Sequence, residues 1–178
     1  MKLFLTMKAW ELFLLLFVSP TLLPIAFALN TGENREIFFF LIMLFMVFLA
    51  LCFYGWLWTL GIRLNKKVDA EPKTESRIFK YCMTFALLYI LFFLLYPVFK
   101  RILGFEADIG IDHLMPFHFI TLICIIYGFY FTSKHLVTIE KQKKASFQEY
   151  IGTIILFWFY PIGVWFIQPR VNKIFKES

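Results

Sequence analysis

The sequence predicts an all-α, polytopic transmembrane helical bundle, and three observations carry that assignment. Hydrophobic side chains make up 61% of the 178 residues and aromatic ones 21%, against 17% charged. Soluble domains sit near about 45–50% apolar and about 25% charged, and one small globule has too little interior to hide such an excess. Several apolar runs approach or exceed the roughly 20 residues a helix needs to cross a bilayer. Finally, the charged residues fall almost entirely between those runs, in a chain of mean hydropathy +0.74 and net charge +6. A disordered chain, a coiled coil and a disulfide scaffold are excluded. The whole chain, 1–178, reads as a single transmembrane helical domain without internal repeats.

The first apolar run covers about residues 10–29, broken by Ser19, Pro20 and Pro24. Lys2 and Lys8 precede it, and Ala26-Phe27-Ala28 has the small-x-small spacing of a signal-peptidase site. The two prolines and the opening Glu11 argue instead for a retained, kinked first span. The second run, 37–62, holds 26 residues without a charge. As one helix it would be about 39 Å long, so it must tilt or emerge. Trp56 and Trp58 near its end suit an interfacial belt. The third run, 81–99, is closed by Pro97 and Lys100-Arg101. The fourth, 116–132, opens on Pro116 at a first-turn position, where a missing N–H costs little.

The last apolar stretch, 150–167, carries Pro161 and Gly163 in its second half. A proline there would free the carbonyl of Phe157, which lipid cannot satisfy. The expectation is therefore a re-entrant hairpin broken at Tyr160–Gly163. The alternative is a fifth full span. Counting Lys and Arg decides orientation. With the N-terminus inside and the hairpin re-entrant, fifteen basic residues face the cytoplasm and three face outward. A fifth span makes the split twelve against six. The positive-inside rule favours the first, so four spans plus a Pro-broken C-terminal hairpin, with both termini cytoplasmic, is the predicted topology. Residues 68–76 have linker composition and are expected to lie flexible at the surface.

Chemistry-bearing groups are sparse. The cysteines Cys52, Cys82 and Cys124 all lie inside apolar runs without a CxxC and read as small hydrophobes. No Asp, Glu, Lys or Arg lies mid-span, which argues against an ion-coupled carrier. Asp108, Asp112, His113 and His118 form a weak polar cluster at the outer mouth of the third and fourth spans. Their spacing fits no metal motif, and an acidic loop with two interface-seeking histidines explains them. No cofactor, metal or catalytic residue is expected.

The final 45 residues are the unusual part. Between Lys134 and Glu149 the pattern is that of a short amphipathic helix on the cytoplasmic surface, with lysine stems snorkelling toward headgroups. Lys134, Glu140 and Gln142 are followed by Trp158, Pro161, Gly163, Trp165, Gln168, Pro169, Arg170 and Asn172, which together make the candidate interaction or structural motif. Gln168, Arg170 and Asn172 are the polar groups nearest the expected break. Over about Asp112–Ile174 this pattern, above all Pro161-Ile162-Gly163-Val164-Trp165 through Asn172, resembles a family of small uncharacterised bacterial multi-span membrane proteins. The resemblance implies a bacterial inner-membrane location and no activity. In size and span count the chain is also similar to membrane accessories of RNA-guided RNA nucleases in antiviral defence.

Two functions follow as expectations. The first is a non-enzymatic scaffold or regulatory subunit, with the bilayer and a protein partner or second copy as its contacts and no direct nucleic-acid binding. The alternative is an oligomeric channel or pore, a defence accessory or effector among them. It would need a polar stripe along one span, and Thr84, Thr121 and Thr132 are few for that role.

Overall fold

The computed structural model describes residues 3–19, 22, 25, 35–68, 73–104 and 111–176. Every regular element among them is helical. They are α1 (Leu3–Thr6), α2 (Ala9–Phe13, passing into a π turn over Leu14–Val18), α3 (Arg35–Lys67), α4 (Lys73–Leu103), α5 (Ile111–Lys141), α6 (Phe147–Trp158) and α7 (Tyr160–Lys176).

Three of these are long and apolar enough to cross a membrane: Ile37–Lys67, Glu75–Ile102 and Asp112–Lys141. They contain the second, third and fourth apolar runs and extend beyond each. Two prolines are placed differently from expectation. Pro97 lies inside α4, which continues to Leu103, and Pro116 lies inside α5, which starts five residues earlier. Both lie past the first four positions, so each removes one intrahelical donor, toward the carbonyls of Phe93 and Asp112, and the helix continues through it. The segment read as a flexible linker also shortens, because α4 already begins at Lys73. Of the first run, Ala9–Val18 forms a shorter apolar helix. Ser19 Oγ donates back to the Leu15 carbonyl (2.5 Å) at its end. The proposed cleavage motif and the prolines at 20 and 24 lie outside the described residues.

The three long helices pack on one another, and α6 and α7 fold against the half nearest Lys67 and Lys141. The buried core is concentrated in that half. It takes Trp56, Leu57, Leu60 and Leu64 from α3, Phe79 and Met83 from α4, and Phe129, Phe131 and Leu136 from α5. Phe157, Val164, Ile167 and Val171 complete it from the last two helices. Rings do much of this packing: Phe79 stacks on Phe131 at 4.5 Å, and Phe157 lies 5.6 Å from Trp56 and 5.7 Å from Phe129. The Phe79 ring fits because Gly61 faces it, where a Cβ would come within 2.4 Å. In the opposite half, Leu41, Leu44, Phe48, Leu88, Phe119 and Ile123 are exposed, as lipid-facing surfaces require.

Candidate functional site

The candidate site is built by the last two helices and what holds them. α5 does not stop at Thr132 but runs to Lys141, so the surface helix expected over 134–149 is instead the end of α5 and a turn. Gln142 makes that turn with a positive φ of 52° and donates from Nε2 to the Ile139 carbonyl (2.8 Å). α6 then starts after Ser146, whose N–H donates to Glu149 Oε2 (2.7 Å). Lys141 Nζ donates to the other oxygen of Glu149 (2.7 Å). Those two contacts, with Lys143 nearby, hold the Glu149 carboxyl down at about 2, the Lys141 hydrogen bond being the largest cause.

The break between α6 and α7 falls at Phe159 (φ −93°, ψ 54°), before the expected Tyr160–Gly163. Its cause is positional. Pro161 occupies the first turn of α7, where no intrahelical donor is needed, so it starts a helix instead of interrupting one. The Ile155 carbonyl takes the Phe159 N–H (2.9 Å), and the Phe159 carbonyl takes the Gly163 N–H (2.8 Å). Gly163 lies hard against the Leu156 backbone, where a Cβ would stand 1.8 Å from the carbonyl oxygen. The two helices consequently form a close antiparallel hairpin.

Two polar networks fix this hairpin. Gln168 is fully buried. Its Oε1 accepts from the indole Nε1 of Trp56 (3.1 Å), and its Nε2 lies within reach of the Phe4 (2.8 Å) and Met7 (3.1 Å) carbonyls and of Asn172 Oδ1 (3.1 Å). Asn172 Nδ2 donates to the same Met7 carbonyl (3.1 Å). The carbonyls of Phe4 in α1 and of Met7 just after it, at a helix end where intrahelical donors run out, thereby receive side-chain donors. Trp56 is correspondingly a core residue and not part of an interfacial belt. Higher along α7, Tyr160 Oη donates to the Leu16 carbonyl (3.2 Å) and Trp165 lies 5.5 Å from Phe13. The N-terminal helices therefore run antiparallel to α7.

Arg170 forms the second network. Its Nε and Nη2 grip the two oxygens of Glu140 (2.7 and 2.5 Å), and Nη1 donates to Thr153 Oγ1 (3.2 Å). This ties α7 to the ends of α5 and α6 in a bidentate, charge-assisted pair. Beside it opens a groove of about 770 Å³ lined by Lys67, Ile139, Glu140, Gln142, Arg170, Lys173 and Ile174.

The sequence-derived candidates thus divide. Glu140, Gln142 and Arg170 come together at the groove, and Gln168 and Asn172 meet below it. Pro169 lies inside α7 between the two networks. Trp158 and Trp165 are half exposed on the outer surface. Lys134 goes elsewhere: it is buried, does not snorkel, and pairs with Glu75 of α4 at 2.9 Å. Nothing local in the sequence marks Glu75, which falls in the linker-like stretch.

At the other end, His118 Nδ1 sits 2.5 Å from Tyr89 Oη, with the rings of Tyr89 and Phe93 edge-on to it. Asp112 and His113 are exposed, and Asp108 lies outside the described residues. Among the described residues, no three His, Cys, Asp or Glu side chains are grouped to hold a metal.

Compared with protein-family models, curated proteins and solved structures, the chain matches none.

Proposed function

We propose that this chain is a non-enzymatic, multi-pass protein of the bacterial inner membrane that serves as a scaffold or regulatory subunit of a larger assembly. Its topology in this reading is four spans and a re-entrant C-terminal hairpin, with both termini cytoplasmic. The observation that carries it is the Arg170–Glu140 pair. It holds the far end of the last apolar stretch at the same end of the bundle as the near end, which supports a re-entrant segment over a fifth span. Around it lie Lys67, Lys141 and Lys173, on the side to which positive-inside charge assigns the cytoplasm. A fixed polar face stapled to three long helices suits docking, because its geometry is set before a partner arrives.

Reconstitution tests the reading. The purified chain in liposomes is expected to leave an ion gradient intact. Photo-crosslinkers at Gln142 and Lys173 in cells are expected to give a discrete adduct that ones at Ile123 and Phe119 do not. Conductance by the chain alone would favour the pore instead.

A further inference from the structure

The groove beside Arg170 sets a basic wall at the ends of the apolar helices. It lies where α3 ends at Lys67, α5 ends at Lys141 and α7 nears its end at Lys176. Three apolar helices ending together mark the plane where hydrocarbon gives way to headgroups. Among the described residues, three cations, Lys67, Arg170 and Lys173, and one carboxylate, Glu140, line the groove. That carboxylate is already engaged by the Arg170 fork.

The donors left over are specific. A guanidinium has five N–H groups. Arg170 uses one on each nitrogen toward Glu140 and Thr153, which leaves one on Nη1 and one on Nη2. Lys67 is oriented by donation to the Ile174 carbonyl (2.8 Å) and by the Phe175 ring beneath it (4.8 Å). Lys173 is exposed on the same wall, one turn along α7 from Arg170. Ile139 and Ile174 supply its apolar lining. A volume of about 770 Å³ suits a headgroup with its glycerol, and planar N–H pairs with an ammonium suit phosphate oxygens.

We propose that this groove binds the glycerophosphate headgroup of an anionic phospholipid, with Lys173 and the two remaining N–H groups of Arg170 as the phosphate donors. The inference rests on the membrane reading of the three long helices and not on any protein partner. Alkaline extraction of cell membranes checks the membrane reading separately, since a peripheral protein would be released.

The test uses the full chain, delipidated in a neutral detergent, with phosphatidylglycerol or phosphatidylcholine added and bound lipid read by native mass spectrometry and by the unfolding midpoint. Phosphatidylglycerol is expected to stay as a one-to-one adduct and raise the midpoint, while phosphatidylcholine does neither. Lys173→Gln should weaken the adduct about fivefold, the usual effect of one basic residue near an anionic surface, and Lys173→Arg should restore it. Lys144→Gln, an exposed lysine outside the groove, should change nothing. Equal losses in the Lys173 and Lys144 variants would overturn the site in favour of diffuse attraction. Equal retention of phosphatidylcholine would overturn the anionic assignment. If inorganic phosphate alone gave the same stabilisation, the ligand would be a free phosphate and the lipid assignment would fall.

Discussion

Gln168 and Trp56 lie 112 residues apart in the chain and meet by a single hydrogen bond, the indole N–H donating to the amide oxygen at 3.1 Å, both side chains fully buried. The same amide reaches the Phe4 carbonyl of α1 and the Met7 carbonyl just beyond it through its nitrogen. One side chain thus joins the N-terminal segment, a long span and the C-terminal hairpin, without a charge.

Replacing Gln168 with Met keeps the volume and removes every partner. The Trp56 N–H is then buried without an acceptor, at a typical cost of about 1–3 kcal/mol. Interhelical hydrogen bonds in membranes are often weaker, at about 0.6 kcal/mol on average, because the unfolded state finds partners too. Since several bonds are lost at once, we expect about 2 kcal/mol of destabilisation by reversible unfolding in detergent. Asn172→Ala should cost less, because the Met7 carbonyl keeps Gln168.

The Lys134–Glu75 pair supports a different expectation. The lysine side chain is 8% exposed and the carboxylate 30%. Glu75→Gln removes the charge that faces a buried ammonium, and breaking such a pair costs about 3–5 kcal/mol, with the low end expected here because Glu75 is partly solvated. Lys134→Met in the Glu75→Gln background should recover most of that loss. A double-mutant cycle on unfolding midpoints reads the coupling directly.

These two networks also show where sequence reading stops. The runs at 37–62, 81–99 and 116–132 were legible because lipid demands long uncharged stretches, and each lies within a long helix. Their ends were not, since Lys, Arg and Glu are good helix formers and carry α3, α4 and α5 past the apolar run. The hairpin was legible from Pro161 and Gly163, but its break was misplaced, because a proline serves equally to interrupt one helix or start the next. Arg170 and Glu140 both belong to the candidate motif, but their pairing across 30 residues was not legible. Glu75 and Lys134, 59 apart, are joined only by the packing of α4 on α5.

Two glycines give opposite expectations. At Gly163 an added Cβ meets the Leu156 carbonyl oxygen at 1.8 Å, backbone that cannot swing aside, whereas at Gly152 nothing lies within 4 Å. Gly163→Ala should open the hairpin and cost at least about 1–3 kcal/mol, as overpacking does. Gly152→Ala should instead stabilise α6 by roughly 0.5–1 kcal/mol through backbone entropy. Thermal midpoints of the two variants should therefore move in opposite directions.

Acid should loosen the start of α6. Glu149 titrates at about 2 in the folded chain against its ordinary 4.5, chiefly because Lys141 donates to it. A carboxyl whose folded pKa is depressed contributes stability above its unfolded value, and that contribution fades as pH falls from about 4.5 toward about 2. Hydrogen exchange over Phe147–Tyr150, corrected for intrinsic rates, should accelerate across that window. Glu149→Gln should exchange faster at neutral pH and lose the dependence.

The topology is open to a direct check. α6 has 12 residues and α7 has 17, about 18 and 26 Å at 1.5 Å per residue, each short of a hydrocarbon core of about 30 Å. The Arg170–Glu140 pair returns α7 to the end of α5, so whichever side holds Lys141 also holds Arg170. In a background lacking Cys52, Cys82 and Cys124, single cysteines replacing Glu71 and Lys141 should resist an impermeant thiol reagent in intact cells, and one replacing Glu33 should react. A tag after Ser178 should survive external protease in spheroplasts. Cleavage of that tag with Lys141→Cys still protected would mean that the last stretch crosses, that the Arg170–Glu140 contact does not form in the membrane, and that the cytoplasmic face at the end of α5 shrinks to Glu140–Glu149.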